Sequence, residues 1–378
     1  MMSKYILLVV LVGLTSSALS QDDAPEVYAP PRDYGTDWRP SVLLGFTTED
    51  GLLLGGGPIL YKFGFRQMPY VLRMQLTGGI GLKNGAFVVN YTALYPAIGN
   101  NLVFEIIAHI TELEVRNFYG FGNASFRNKD LDRIRFYQLS SREYLFNTEL
   151  SYKISDQAKF GVGALFKHFE VRQKTGRYVT PDSSGSLGDD RSYVGMTLGF
   201  NIDTRNSTVA ARRGVYLRLQ GGAFPDIFDE ASPYYKLSGD ARFFVTAPLP
   251  FRPTLAVRIG AEKVIGEFPF YEAAFLGGFG SLRGFNARRF AGEASAFANI
   301  DLRLSLFRMK LFVPTTVGVF GLVDAGRVWM NDLSPESWHV GVGGGISLAP
   351  LTAETTVSVA FANSKDGVFI VGGLGYGF

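Results

Sequence analysis

From Ser41 to Phe378 the chain repeats one unit: about ten residues in which apolar and polar side chains alternate, then a turn signal. The repeat predicts 16 strands, at 41–48, 52–63, 70–82, 86–97, 101–113, 139–154, 157–172, 191–203, 213–225, 233–247, 251–268, 293–307, 314–329, 337–349, 352–363 and 366–378. In 293–307, Ala294, Ala296, Ala298, Ile300, Leu302, Leu304 and Leu306 share one face. Glu293, Ser295, Asn299, Asp301, Arg303 and Ser305 share the other. The same split recurs in 70–82, where Leu72, Met74 and Leu76 oppose Arg73, Gln75 and Thr77. It recurs in 139–154, where Phe146, Leu150, Tyr152 and Ile154 oppose Asn147, Glu149, Ser151 and Lys153.

Alternation alone does not say which face is inside, since a soluble sandwich alternates too. The even strand count, the wholly apolar face of 293–307 and a leader-like amino terminus favour apolar-out. Connection lengths agree. Numbered from a periplasmic start, the long connections 114–138, 173–190 and 269–292 all fall on the external side. The connections at Gly99-Asn100-Asn101, Ser155-Asp156-Gln157, Phe307–Lys310 and Ala349-Pro350-Leu351 are short and fall on the periplasmic side. Long outside and short inside is the outer-membrane pattern. Tight external hairpins are expected at Glu49-Asp50-Gly51, Lys83-Asn84-Gly85 and Ser364–Gly367. The fold class is therefore all-β, a 16-stranded antiparallel transmembrane barrel, with a closing ladder expected between strands 1 and 16.

Composition fits this picture. The 378 residues include 45 Gly, 32 Phe and 18 Tyr, and no Cys. Without cysteine there is neither disulfide support nor thiol or zinc-thiolate chemistry. A formal charge of +3 predicts no nucleic-acid partner. No apolar run after the first 20 residues could span a bilayer as a helix, which leaves a barrel as the other way to satisfy backbone groups in lipid. Met1–Ser20 carries Lys4, an apolar core Ile6–Leu14 and small residues to Ala18-Leu19-Ser20, the pattern of a secretory signal peptide cut before Gln21. Its core is too short for a membrane anchor. Residues 21–40 are acidic and then proline-rich, and read as a periplasmic tail ahead of the barrel domain at 41–378.

One connection differs from the rest. Gly277-Gly278-Phe279-Gly280-Ser281-Leu282-Arg283-Gly284-Phe285 is too long for a tight turn and too glycine-rich for a helix. Arg283 stands there alone among apolar and glycine neighbours, and a guanidinium in such company needs a carboxylate. Asp301 lies on the next strand and Asp324 on the one after. The expectation is that this loop folds into the lumen and that Arg283 docks on Asp324, Asp301 or both. A plain surface arginine is the competing reading.

At this point four segments resemble one family, the BamA/TamA superfamily of outer-membrane assembly barrels, also called the bacterial surface antigen family. Leu282-Arg283-Gly284-Phe285 resembles its loop-six motif and falls on the sixth external loop. Phe320–Trp329, with Asp324, resembles its strand-13 aspartate motif and falls on strand 13. Asp203-Thr204-Arg205, followed by Arg213-Gly214, resembles its hairpin between strands 8 and 9. Gly373–Phe378, with Tyr376 and Phe378, resembles the terminal strand that an assembly machine recognises. The resemblance covers the whole barrel. Family members that build or export proteins usually carry periplasmic POTRA domains before it. About 20 residues separate the predicted cleavage site from strand 1, so a barrel-only member is expected.

The resemblance implies an outer-membrane location and a role in assembling membrane proteins or moving polypeptides. Its partners would be membrane lipid, lipopolysaccharide and a periplasmic accessory protein or outer-membrane client. A passive pore or structural barrel is the alternative. In strand 16 Gly367, Gly373, Gly375 and Gly377 share one face, which fits either a weak lateral gate against strand 1 or close packing of the lumen loop. The cluster Asp203, Arg205, Arg212, Arg213 and Gly214 is either a partner surface or a turn whose charges pair with one another, and the second is favoured. External cations at 127–135 and 172–177 face lipopolysaccharide phosphates or are solvated loop charges.

Enzyme chemistry is not expected. His109, His168 and His339 are far apart and lack metal-ligand spacing, and no nucleophile elbow or phosphate-binding glycine loop is present. No catalytic residue, metal or cofactor is assigned. A lipid-modifying enzyme is a minor third reading.

Overall fold

The computed structural model describes residues 34–47, 51–83, 85–98, 101–112, 116–172, 176–178, 190–227, 232–310, 312–330 and 337–378. The predicted signal peptide, most of the predicted tail and parts of several predicted turns lie outside the described residues.

Nineteen strands are present among the described residues. They are β1 (Gly35–Thr47), β2 (Gly51–Gly64), β3 (Gln67–Gly81), β4 (Phe87–Ile98), β5 (Leu102–Thr111), β6 (Arg116–Asn117) and β7 (Gln138–Lys153). Then follow β8 (Ala158–Arg172), β9 (Arg191–Asp203), β10 (Gly214–Phe224), β11 (Tyr234–Thr246) and β12 (Thr254–Gly266). After these come β13 (Ala274–Leu276), β14 (Phe290–Gly292), β15 (Ala294–Lys310), β16 (Pro314–Trp329), β17 (His339–Pro350), β18 (Val357–Ser364) and β19 (Gly367–Leu374).

Sixteen of them form one antiparallel wall, each paired with the next in chain order from β1 to β19. Each matches one of the expected strands. The remaining three are small: β6 pairs with the start of β7, and β13 and β14 form a hairpin inside the sixth loop. A helix not expected from the sequence, α1 (Lys129–Arg133), sits in the third loop. Asn128 caps it by accepting hydrogen bonds from the Asp130 and Leu131 amides. No helix of the described residues is long and apolar enough to cross a membrane.

The alternation orients the wall as expected. Leu302 and Ile300 lie on the outer face, opposite Leu255 and Val257 in register, and the first three are exposed. Asp301, Asn299, Arg303 and Ser295 point inward and are buried. Phe146, Leu150 and Tyr152 are outward and exposed, while Ser151 is buried. An apolar outer surface with a polar interior is the arrangement a lipid-embedded barrel requires.

Both ends of the wall depart from expectation. β1 starts at Gly35 rather than at 41, so the last part of the predicted tail belongs to the wall. Pro40 pairs with Pro58 on β2, and a proline there is tolerated because β1 is an edge strand. The final strand stops at Leu374 rather than at 378. Among the described residues no ladder joins β1 to β19, so the expected closing pairing of strands 1 and 16 is not formed there. The sheet is nonetheless curled on itself, since the β9–β10 turn meets the β17–β18 turn through Thr208 and Glu354.

Candidate functional site

The sixth loop, 267–293, turns back into the lumen. Its hairpin pairs Ala274 with Gly292 and Leu276 with Phe290. Leu282 and Phe285 pack with Leu276, Phe290 and Val328 in a buried cluster. This apolar anchoring places Arg283 deep inside, only 2% exposed. The loop can come this close because β17 presents Gly341 to it. A Cβ there would stand 2.1 Å from the Arg283 carbonyl oxygen.

Arg283 meets both predicted carboxylates. Its Nε and Nη2 donate to the two oxygens of Asp324, at 2.8 and 2.7 Å. Nη2 also donates to Asp301 at 2.7 Å, and the Arg283 amide donates to Asp324 at 2.8 Å. Both aspartates are fully buried. The planar fork of guanidinium donors suits this two-pronged grip. Burial alone would lower the guanidinium pKa, but Asp324 and Asp301 raise it above its ordinary value. Gly284 continues the motif with a positive φ, and its carbonyl accepts from Ser364.

Two further fastenings were not read from the sequence. Glu272, on the short turn Phe270–Glu272, is buried and accepts from Lys167 Nζ at 2.7 Å and from the Tyr193 hydroxyl. Lys236 Nζ approaches it at 3.4 Å, and Lys167 also meets Glu143 at 3.3 Å. Burial alone would raise the Glu272 carboxyl. The two ammonium groups outweigh it and hold the carboxyl well below the usual carboxylate range. Arg289, also buried, donates to Asp366 at 2.6 Å and to Ser125 at 2.9 Å. Around these anchors Phe118, Phe169, Tyr193, Phe224, Tyr234, Phe270 and Tyr271 form an aromatic cap over the long-loop end of the lumen.

The short-turn end holds the second predicted motif. Asp203 and Arg205 pair with each other, Nε–Oδ1 2.9 Å and Nη2–Oδ2 2.7 Å, as favoured from the sequence. Arg205 also lies 4.5 Å from the Tyr216 ring centre. Arg213 is exposed and apart from that pair. Gly214 has a φ of 111°, and a Cβ there would meet the Thr204 carbonyl at 2.4 Å. The motif is thus a turn-former with two cations outside the pair, Arg213 and Arg212, which donates to Ser305 at 3.2 Å.

The predicted terminal-strand residues are not where the alternation put them. Alternation through strand 16 sets Tyr376 and Phe378 on one face with Val368, Ile370 and Leu374, opposite the glycine face. Tyr376 and Phe378 lie in the lumen instead, because Gly375 and Gly377 take φ values of 70° and 101° and turn the segment inward. Arg283 Nη1 donates to the Tyr376 carbonyl at 3.2 Å, and Arg303 Nη2 donates to the main-chain oxygen of Phe378 at 3.1 Å. Arg303 also pairs with Asp301 at 3.0 Å. The segment therefore completes the charge cluster that the loop begins.

The external cations expected to face phosphates are partly spent on protein groups. Arg127 pairs with Asp132 at 2.5 Å, Arg172 with Glu112 at 2.8 Å, and Arg177 donates to main-chain oxygens near 134. Residues 173–175 lie outside the described residues.

Comparison with known proteins follows the same lines. A profile of the Omp85 superfamily domain matches residues 112–367. No curated protein matches the chain. Among solved structures, the chain is similar to BamA from Haemophilus ducreyi lacking POTRA domains 1–3, with a TM-score of 0.62 and 15% identity over 90% of this chain and 70% of that one. It is also similar to CdiB from Escherichia coli, with a TM-score of 0.55 and 15% identity over 89% of this chain and 61% of that one. At such identities these two structures speak for the barrel fold.

Proposed function

Because the chain belongs to the Omp85 superfamily, we propose that it is an outer-membrane barrel that assists membrane-protein assembly or polypeptide transport. The observation that carries this reading is the pairing of two features. The lumen is capped and plugged by the sixth loop, while the edges of β1 and β19 have no ladder between them among the described residues. A lumen capped at its long-loop end and partly filled by loop six does not favour a wide through-channel, and an unpaired sheet edge offers main-chain groups to another strand. The work would be done at the wall rather than through it. In this reading the short-turn rim is periplasmic, with Arg213 placed to meet an accessory protein, and the long loops face lipopolysaccharide. The reading assigns the chain no enzymatic step.

The test is reconstitution in liposomes. Purified protein is expected to speed the insertion of an unfolded outer-membrane barrel client and to show no steady conductance in planar bilayers. Steady conductance with no effect on client insertion selects the passive pore instead. Crosslinking in cells from 205–213 identifies whatever docks at the rim.

A further inference from the structure

At the short-turn rim the β9–β10 turn closes over a small cavity of about 20 Å³. Its floor comes from the start of β12 and β16 and from the end of β15 and β17. Arg212, from the turn, and Arg303, from β15, line it, and no carboxylate does. The hydroxyls of Ser305, Thr316 and Ser347 also line it. Gly318 keeps the space free, since a Cβ there would stand 2.7 Å from Ser347 Oγ. A cavity of this size holds one occupant about as large as a water molecule.

Three features favour an anion over a water. The first is a charge count. Arg283 pairs with Asp324 and Arg303 with Asp301, so these four charges balance. Arg212 is the fifth, and among the described residues no carboxylate pairs with it. Its Nη2 donates to the neutral Ser305 hydroxyl at 3.2 Å. Burial and the neighbouring Arg252 hold the Arg212 guanidinium below its ordinary value. The second feature is an unused donor. Arg303 is 4% exposed, and its Nε is buried without a hydrogen-bond partner. The Phe378 oxygen that takes its Nη2 does not line the cavity. The third is the state of the hydroxyls. Ser305 accepts from Arg212 and Ser347 accepts from Tyr376, which leaves both hydroxyl hydrogens to donate. A water would satisfy one donor and leave the surplus charge. A monovalent anion answers both.

We propose that this cavity is a binding site for one small monovalent anion of halide size, held by Arg212, Arg303 Nε and the hydroxyls of Ser305, Thr316 and Ser347. The anion ties the β9–β10 turn to the buried cluster around Arg283, and so joins two of the sequence motifs through one ion. The site rests on the lumen geometry and stands whether or not the barrel assembles clients.

The test uses the full chain in a neutral detergent, with bromide as the probe because it scatters anomalously. Crystals soaked in sodium bromide are expected to show an anomalous peak between Arg212 and Arg303. The peak is expected to vanish in Arg212→Met, whose fold the same diffraction checks. A cavity holding water alone, or an equal peak in Arg212→Met, overturns the site. A second measurement needs no crystal. Urea unfolding is timed in sodium chloride and in sodium gluconate at equal ionic strength, gluconate being too large for the cavity. Unfolding is expected to be at least about threefold slower in chloride, since an ion that binds only the folded chain stabilises it. That ratio is expected to fall to about one in Arg212→Met, and toward one in Thr316→Val, which keeps the side-chain shape and removes one donor. Equal rates in the unaltered chain, or a ratio that both variants leave unchanged, overturn the proposal.

Discussion

The two sides of the lumen are built differently. Along β15–β19 it is filled: loop six and Gly375–Phe378 bury Arg283, Asp301, Asp324 and Arg303 in one bonded cluster. Along β5 and β7–β10 it is open, with a cavity of about 540 Å³ lined by Glu105, Asn147, Glu149, Lys159, Asn201 and Arg218 among others. Charges occur on both sides, but along β5 and β7–β10 only those under the cap, Glu143 and Lys167, are buried, and those lining the cavity stay in contact with water. A buried ion pair depends on every partner, whereas a solvated one contributes little. The same residue types therefore serve as a fastening on one side and as a wet surface on the other.

That contrast can be broken by substitution, and the effects fall in order. Arg283→Ala leaves Asp324 buried without its cation and Asp301 with Arg303 alone, and is expected to cost about 3–5 kcal/mol, read as a lower unfolding midpoint in urea and faster protease cleavage within loop six. Leu302→Lys puts a charge on the outer face and is expected to cost about 2–4 kcal/mol if that face meets hydrocarbon, measured as lost folding into bilayers. Glu272→Gln leaves Lys167 and Lys236 less well paired and is expected to cost about 1–3 kcal/mol, seen as earlier cleavage in the cap. Arg218→Ala, on the open side, is expected to stay within about 0.5 kcal/mol. An Arg218→Ala loss as large as that of Arg283→Ala would erase the distinction between the two sides.

Acid sharpens the same contrast. The folded Glu272 carboxyl titrates below its ordinary value of 4.5, so its contribution is fully present above that pH. It is lost as pH falls further, toward the depressed folded value. Cap protection from protease should be level from neutral pH down to about 4.5 and decline only in stronger acid. The cap of Glu272→Gln should show no such decline.

Much of this was legible in the chain. Alternation located all sixteen wall strands and split each into two faces, because a strand between lipid and lumen must change polarity at every residue, while the wholly apolar face of 293–307 and the connection lengths favoured which face is outside. Arg283 was legible because a lone guanidinium among glycines and apolar residues needs a carboxylate, and the following strands supplied Asp301 and Asp324. Glu272 was not legible. Its partner Lys167 lies 105 residues away, and nothing local to Phe270-Tyr271-Glu272 points to it. Tyr376 and Phe378 misled because alternation continues through them while the backbone does not. Two glycines at positive φ end the strand, and an arginine on β15 replaces the outer surface as their partner. The edge between β1 and β19 was beyond reach for a different reason: pairing between chain ends depends on how the whole sheet curls.

The account turns on Arg283 being bonded to Asp324 inside the wall. A double-mutant cycle with Arg283→Ala, Asp324→Ala and the pair together, followed by urea unfolding in lipid, measures that bond directly. Residues sharing one buried network are expected to couple by about 2–3 kcal/mol, with the double variant losing far less than the two single losses combined. Losses that add to within about 0.5 kcal/mol would mean the two groups do not meet, and would contradict the latch.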